Sequence, residues 1–187
     1  MRIITGKYRG RHFNVPTSFK ARPTTDFAKE NIFNVLRSYV DFEDTCALDL
    51  FSGTGAITLE LLSRGCPRVV SVEKDRRHHR FILDTLRQLQ DTAAQAICTD
   101  ALRYAERCTE EFDLVFADPP YALPELPTLP DRILGSRTLK AGGLLLLEHG
   151  RTLDFSIHAA FIEHRSYGSV NFSFFRKAGN TPASDGS

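Results

Sequence analysis

Apolar residues in this chain fall into short runs, spaced by glycine, proline and small polar residues. Runs near 45–51, 68–73, 94–98, 112–117 and 143–148 are rich in Val, Leu, Ile and Phe, and none contains an internal proline. Such runs read as buried strands. Between them, stretches near 55–64, 75–90, 101–107 and 124–135 carry helical spacing. Strand and helix alternating in this rhythm predict an α/β fold, a mainly parallel sheet with helices on both faces. Upstream, Ile3–Thr5 and His12–Val15 flank a glycine-containing turn and predict a short hairpin. A helix capped by Thr24 or Thr25 then runs to about Tyr39, with Ala28, Ile32, Val35, Leu36 and Tyr39 on one face. After residue 148 the pattern changes. Phe161–Tyr167 and Val170–Lys177 surround Gly168-Ser169 and read as a closing antiparallel hairpin. The expectation is one domain over 1–177: a basic arm (1–22), a helix (24–40) and a core (45–177). Residues 178–187, small and polar, read as a disordered tail.

Two strand ends carry chemistry. The run 112–117 leads directly into Asp118-Pro119-Pro120-Tyr121. Two prolines fix φ and remove backbone donors, so the corner is rigid. It offers one carboxylate, carbonyl oxygens and an aromatic face, which suits a planar base with an exocyclic amino group. The run 45–51 leads into Phe51-Ser52-Gly53-Thr54-Gly55, and a helix follows. Glycines there allow close approach of backbone to ligand. Glu73 ends the next strand 20 residues after Gly53, where an acid can take both hydroxyls of a ribose. A dinucleotide fold would want a third small residue where Thr58 stands, and Asp49 would repel a pyrophosphate. The same Asp49 attracts an ammonium. S-adenosylmethionine, with an ammonium and no phosphate, is therefore the expected cofactor, leaving S-adenosylhomocysteine as product.

Composition narrows the setting. The chain has 187 residues, 42% of them hydrophobic, enough for one sizeable core. Met1, the single methionine, reads as the initiator of an intact N-terminus. No apolar run approaches the ~20 residues of a membrane span, and the polar start excludes a signal-peptide pattern. Cys46, Cys66, Cys98 and Cys108 lack paired spacing and read as buried free thiols of a cytoplasmic protein, with no metal site. The net charge of +1 hides an asymmetry: Arg2, Lys7, Arg9, Arg11, Lys20 and Arg22 stand in the first 22 residues with no acid. A basic arm beside an acidic domain suggests contact with phosphates, and Tyr8 and His12 could stack on unpaired bases.

Taken in order, five segments carry a resemblance: Arg2 to Arg11, Arg22 to Asp26, Asp49 to Gly55, Glu73-Lys74-Asp75, and Asp118 to Tyr121. The chain from Arg2 to about Lys177 resembles the class I methyltransferases, and more narrowly the bacterial guanine-N2 methyltransferases of 16S ribosomal RNA. The resemblance implies a Rossmann-like, seven-stranded sheet with the terminal hairpin inserted. It implies catalysis by Asp118, Pro119, Pro120 and Tyr121, and a cofactor site of Asp49, Phe51, Gly53, Gly55, Glu73, Lys74, Asp100 and Ala101. Asp100 would accept from the adenine amino group, cap the following helix, or do both. Arg9, Arg11, Arg22, Thr24 and Thr25 would contact the RNA, within the small ribosomal subunit or an assembly intermediate, and the protein would act as a monomer. The alternatives are an adenine-N6 nucleic-acid methyltransferase, which can carry the same four-residue corner, a nicotinamide oxidoreductase, disfavoured by Thr58 and Asp49, and a noncatalytic RNA-binding assembly factor.

Overall fold

A computed structural model describes residues 1–19 and 25–179. Five parallel strands come first: β1 (Cys46–Leu50), β2 (Arg68–Glu73), β3 (Ala94–Cys98), β4 (Phe112–Ala117) and β5 (Leu139–His149). Strands β6 (Phe161–Tyr167) and β7 (Val170–Arg176) follow, and the sheet order is β3-β2-β1-β4-β5-β7-β6. β7 runs antiparallel to both of its neighbours. The inserted hairpin and the mainly parallel sheet are therefore as the sequence pattern and the resemblance imply.

Strand side chains alternate between faces, and here both faces are buried. Ala47, Val69, Leu114, Phe116, Leu144 and Leu146 pack under α1 (Asp26–Leu36), α2 (Ala56–Ser63) and α3 (Arg76–Leu89). Their neighbours Leu48, Val70, Val115, Leu145 and Leu147 pack under α4 (Ala101–Arg107) and α5 (Leu129–Gly135). Two-sided burial explains why these strands read as continuous apolar runs instead of alternating ones.

The structure corrects the sequence reading in several places. α1 stops at Leu36, short of Tyr39, although Thr25 caps it by accepting from the Ala28 N–H at 3.2 Å. The segment 124–135 divides into a tight turn, Leu126–Thr128, and α5, because Pro127 and Pro130 withhold donors. β5 begins at Leu139, with an irregularity in its pairing to β4 between Phe112 and Leu114. The thiols are free, but only Cys66 is buried and Cys98 is exposed. Residues 180–187 of the expected tail lie outside the described residues, as do Arg22 and Thr24.

The N-terminal hairpin also pairs differently. Met1 and Ile3 bond to Phe13 and Arg11, whereas the Ile4 and Thr5 N–H groups donate to the Glu60 carboxylate at 2.9 and 3.1 Å. Glu60, fully buried on α2, also accepts from Arg64 at 3.0 Å and faces buried Lys29 of α1 at 4.0 Å. An interior carboxylate needs such partners, and this one competes with strand pairing for Ile4 and Thr5. Farther along, Lys7 and Tyr8 bond Ser63 at the C-terminal end of α2, and both reach Asp91 beyond α3.

Candidate active site

The chain runs outward from β1 through β2 to β3, then returns to place β4 on the other side of β1. Ligands in open α/β sheets bind where the order reverses, beyond the carboxyl ends of the strands. Here those are the ends of β1 and β4. The Asp118 N–H donates to the Leu50 carbonyl at 3.2 Å, and the Ser52 N–H to the Val72 carbonyl at 3.0 Å, so three strand ends are tied together.

The turn after β1 is held from below and from the side. Phe51, with φ 60°, turns the chain out of the strand, and Gly53 and Gly55 continue at φ 54° and 77°. A side chain at Gly55 would lie 3.0 Å from Ile82 of α3, whereas one at Gly53 would meet only open space. Asp49 does not line the cleft. It is buried beneath the turn, where its Oδ2 accepts from the Thr58 hydroxyl at 2.6 Å and the Thr58 N–H at 3.0 Å. The residue that breaks the dinucleotide pattern is thus the partner of the acid before the turn. Glu73 completes the frame, accepting from the Gly53 N–H at 2.8 Å and the Asp75 N–H at 2.7 Å, one bond to each oxygen. Each oxygen keeps a second lone-pair direction for a ligand hydroxyl.

Acids crowd the floor. Burial pushes the Asp49 carboxyl up to about 7, opposed by the Thr58 bonds and reinforced by the Glu73 charge. Asp118 is pushed well above the usual carboxylate range by dehydration first, then by the charges of Glu148 and Asp49 and a hydrogen bond with Glu148. Glu148, at the end of β5, is 6% exposed and accepts from the Tyr121 hydroxyl at 3.0 Å. The Tyr121 ring stands half exposed beside Gly150.

Phe51, Gly53, Glu73, Lys74, Ala101 and Asp118 to Tyr121 line one cleft of about 990 Å³, together with apolar Ile57 and Val72. Gly55 and Asp100 stay outside its lining. Asp100 caps α4 through the Arg103 N–H at 3.0 Å. Thr25 lies at the rim, but Arg9 and Arg11 stand at the hairpin tip, beside the far end of α2 and α3, with Arg11 reaching the Gln88 carbonyl. Tyr8, expected to stack on bases, is engaged instead by Asp91 and lies under Lys7 and Arg11. Sequence reasoning misses Thr58 as a partner, Glu148, and the rim aromatics Phe27 and Tyr167, whose rings meet edge to face at 6.3 Å. Glu148 is visible as an acid closing a four-leucine run, where a buried strand leaves no solvent for it.

The reversed strand order, the inserted hairpin and a cleft between a glycine turn and a strand-end acid define a Rossmann-like fold of the class I methyltransferase type. Consistent with it, the structure of the YhhF protein of Escherichia coli superposes with a TM-score of 0.82, covering 96% of this chain and 99% of that one at 26% identity. The chain belongs to the family described as conserved hypothetical protein 95, whose model matches residues 1–176. It is 31% identical to the YlbH protein of Bacillus subtilis (strain 168), over 96% of this chain and all of that one. It is 36% identical to ribosomal RNA small subunit methyltransferase D of Escherichia coli (strain K12), over 65% of this chain and 60% of that protein.

Proposed function

We propose that the protein transfers a methyl group from S-adenosylmethionine to the exocyclic N2 of a guanine in 16S ribosomal RNA. The observation that carries this reading is the proline-braced corner, Asp118 to Tyr121, facing the glycine turn and Glu73 across one cleft. The name of the Escherichia coli relative supports the substrate class. The donor fits the residues present. It carries a sulfonium and an ammonium, and a floor whose acids raise one another's pKa favours a cationic ligand. Glu73, fixed by two backbone N–H groups, holds the ribose hydroxyls, and the space in front of Gly53 stays open for the ligand. Lys74 and Ala101 border the adenine, with Asp49 acting through the turn it braces.

When bound, the donor supplies an electrophilic methyl group. Guanine N2 is a weak nucleophile because its lone pair is delocalised into the ring. An Asp118 oxygen and the Pro119 carbonyl accept from the two N2 protons. These bonds strengthen as the nitrogen gains positive charge, and so favour the transition state over the ground state. Tyr121 stacks on the base and holds its approach in line, and the base enters unpaired, since N2 is engaged in a Watson–Crick pair. Arg9 and Arg11 contact the RNA away from the reacting base, and Thr25 contacts it at the cleft rim. Labelled-methyl transfer to small ribosomal subunits lacking the modification, followed by nucleoside analysis, tests the reading. N2-methylguanine is expected. N6-methyladenine, or no transfer to ribosomal RNA, would overturn it.

A further inference from the structure

Glu148 is a buried acid with no part in the reaction just described. It follows Leu147, which pairs in register with Ala117, so it stands beside Asp118 at the carboxyl ends of adjacent strands. The Glu148 charge is among the causes that push Asp118 above the ordinary carboxylate range. Two carboxyl groups that share one site do not readily both ionise, so a single proton held between them is the favoured state. The Tyr121 hydroxyl adds a bond to Glu148 Oε1 at 3.0 Å, holding that oxygen from the side of the substrate corner.

We propose that Asp118 and Glu148 act as one carboxyl pair holding a single proton, with Glu148 the positioning residue that turns the second Asp118 oxygen toward guanine N2. The proposal rests on the guanine-N2 reading for its substrate, though not for the pair itself. In the reaction, the bond from N2 to the methyl carbon forms and the carbon–sulfur bond breaks, its electrons staying on sulfur. The methylated nitrogen then gives a proton to Asp118, so the pair carries two protons and no charge until one passes to water as product leaves. Before transfer the pair bears one negative charge beside the developing positive charge on nitrogen. Among the described residues, the titratable groups that face Asp118 are Glu148 from β5 and Asp49 from β1, both acidic. Among the same described residues, Glu148 faces Asp118 and the Tyr121 hydroxyl, and its neighbour across the sheet on β7 is apolar Phe172. Raising the pH until the shared proton leaves puts two like charges side by side and swings Asp118 away, so turnover should fall on an alkaline limb.

Two measurements test this. The first needs no substrate: carboxyl-carbon NMR titration of the wild-type protein and Glu148→Gln. In the wild type, Asp118 should lose its proton well above the ordinary carboxylate range. In Glu148→Gln that step should move down, because the opposing charge is gone. Independent titration of both acids in the ordinary range, or an unmoved Asp118, would overturn the pair. The second measurement is the pH profile of turnover. A glutamine amide can donate to Asp118 without titrating, so Glu148→Gln should stay within about tenfold of wild type and lose the alkaline limb. Glu148→Ala should fall roughly 10²-fold, the scale of removing a transition-state hydrogen bond. Equal losses in both variants with an unchanged pH profile, or wild-type turnover in Glu148→Ala, would refute the positioning role. A wild-type product other than N2-methylguanine would sink the substrate reading instead, leaving the titration to decide the pair.

Discussion

Glu73 braces the turn and lines the cleft with one side chain. Its carboxylate receives the Gly53 and Asp75 N–H groups and still faces the cleft. With Glu73 on the ribose as proposed, Glu73→Ala removes a ligand partner as well as loosening the turn. Losing the partner of two hydroxyls costs about 1–3 kcal/mol, so calorimetry should show donor affinity weaker by about tenfold or more. Unchanged affinity would remove Glu73 from the ribose. Asp118→Ala should lower transfer by roughly 10²-fold or more, with a much smaller loss of donor affinity, because Asp49 remains in the floor. Tyr121→Phe should be mild, because the ring remains, whereas Tyr121→Ala should lose a base platform worth about 1–3 kcal/mol. Asp49 makes a prediction about stability. Its unfolded value is near 3.8 and its folded value about 7. Below the lower value both states hold the proton. Between the two only the unfolded chain releases it, so stability falls as pH rises and levels off above the folded value. That window is worth on the order of 4 kcal/mol. Denaturant midpoints of the ligand-free protein should show the fall, and Asp49→Asn should flatten it.

Among the elements, the N-terminal hairpin is the one whose pairing departs most from its sequence pattern. Its alternating residues suggest a ribbon, but Glu60 takes the N–H groups of Ile4 and Thr5, and the pairing retreats to Met1–Ile3 against Arg11–Phe13. Gly6 lets the hairpin settle on α2: at φ 90°, a side chain there would lie 1.8 Å from the Ser63 carbonyl oxygen. Gly6→Ala combines backbone strain with a clash against main chain. It should destabilise the protein by roughly 2 kcal/mol or more, seen as a lower denaturation midpoint. A midpoint equal to wild type would mean the hairpin does not dock here in solution. The core strands need no such revision. β2 and β4 span the residues their apolar runs mark, because a strand buried on both faces has no polar register to confuse its ends, and the half-exposed edge strand β3 also keeps its expected bounds.

Across the whole molecule, the basic hairpin tip and the cleft are set apart. The hairpin tip, with exposed Arg9 and Arg11, lies by the far ends of α2 and α3, while the cleft opens at the carboxyl edge of the sheet. Neutralising Arg9 and Arg11 should therefore weaken RNA binding and leave donor affinity and turnover at saturating RNA unchanged. The slope of log affinity against log salt should flatten by about one for each phosphate no longer neutralised. An unchanged slope would make the tip a solvated surface, held to the body by Lys7 and Tyr8 on Asp91.

The alternation of strands and helices, the closing hairpin and the two strand-end motifs are all legible along the chain. They depend on local hydrophobic period, on glycine and proline, and on residues adjacent in sequence. The same pattern brings Asp118 to Tyr121 and Glu73 to one edge of the sheet, since parallel strands end on the same side. What each acid faces comes from the fold alone. By its place in the motif Asp49 reads as a ligand partner, and the fold adds a brace, because Thr58 folds beneath the turn to meet its Oδ2. Asp118 reads as a lone carboxylate, yet it is half of a pair, because β5 lies beside β4 and sets Leu147 against Ala117. A turn and the helix α5 separate those two strands in sequence. Which strands become neighbours, and in what register, is decided by packing between distant segments, and local sequence carries no mark of it.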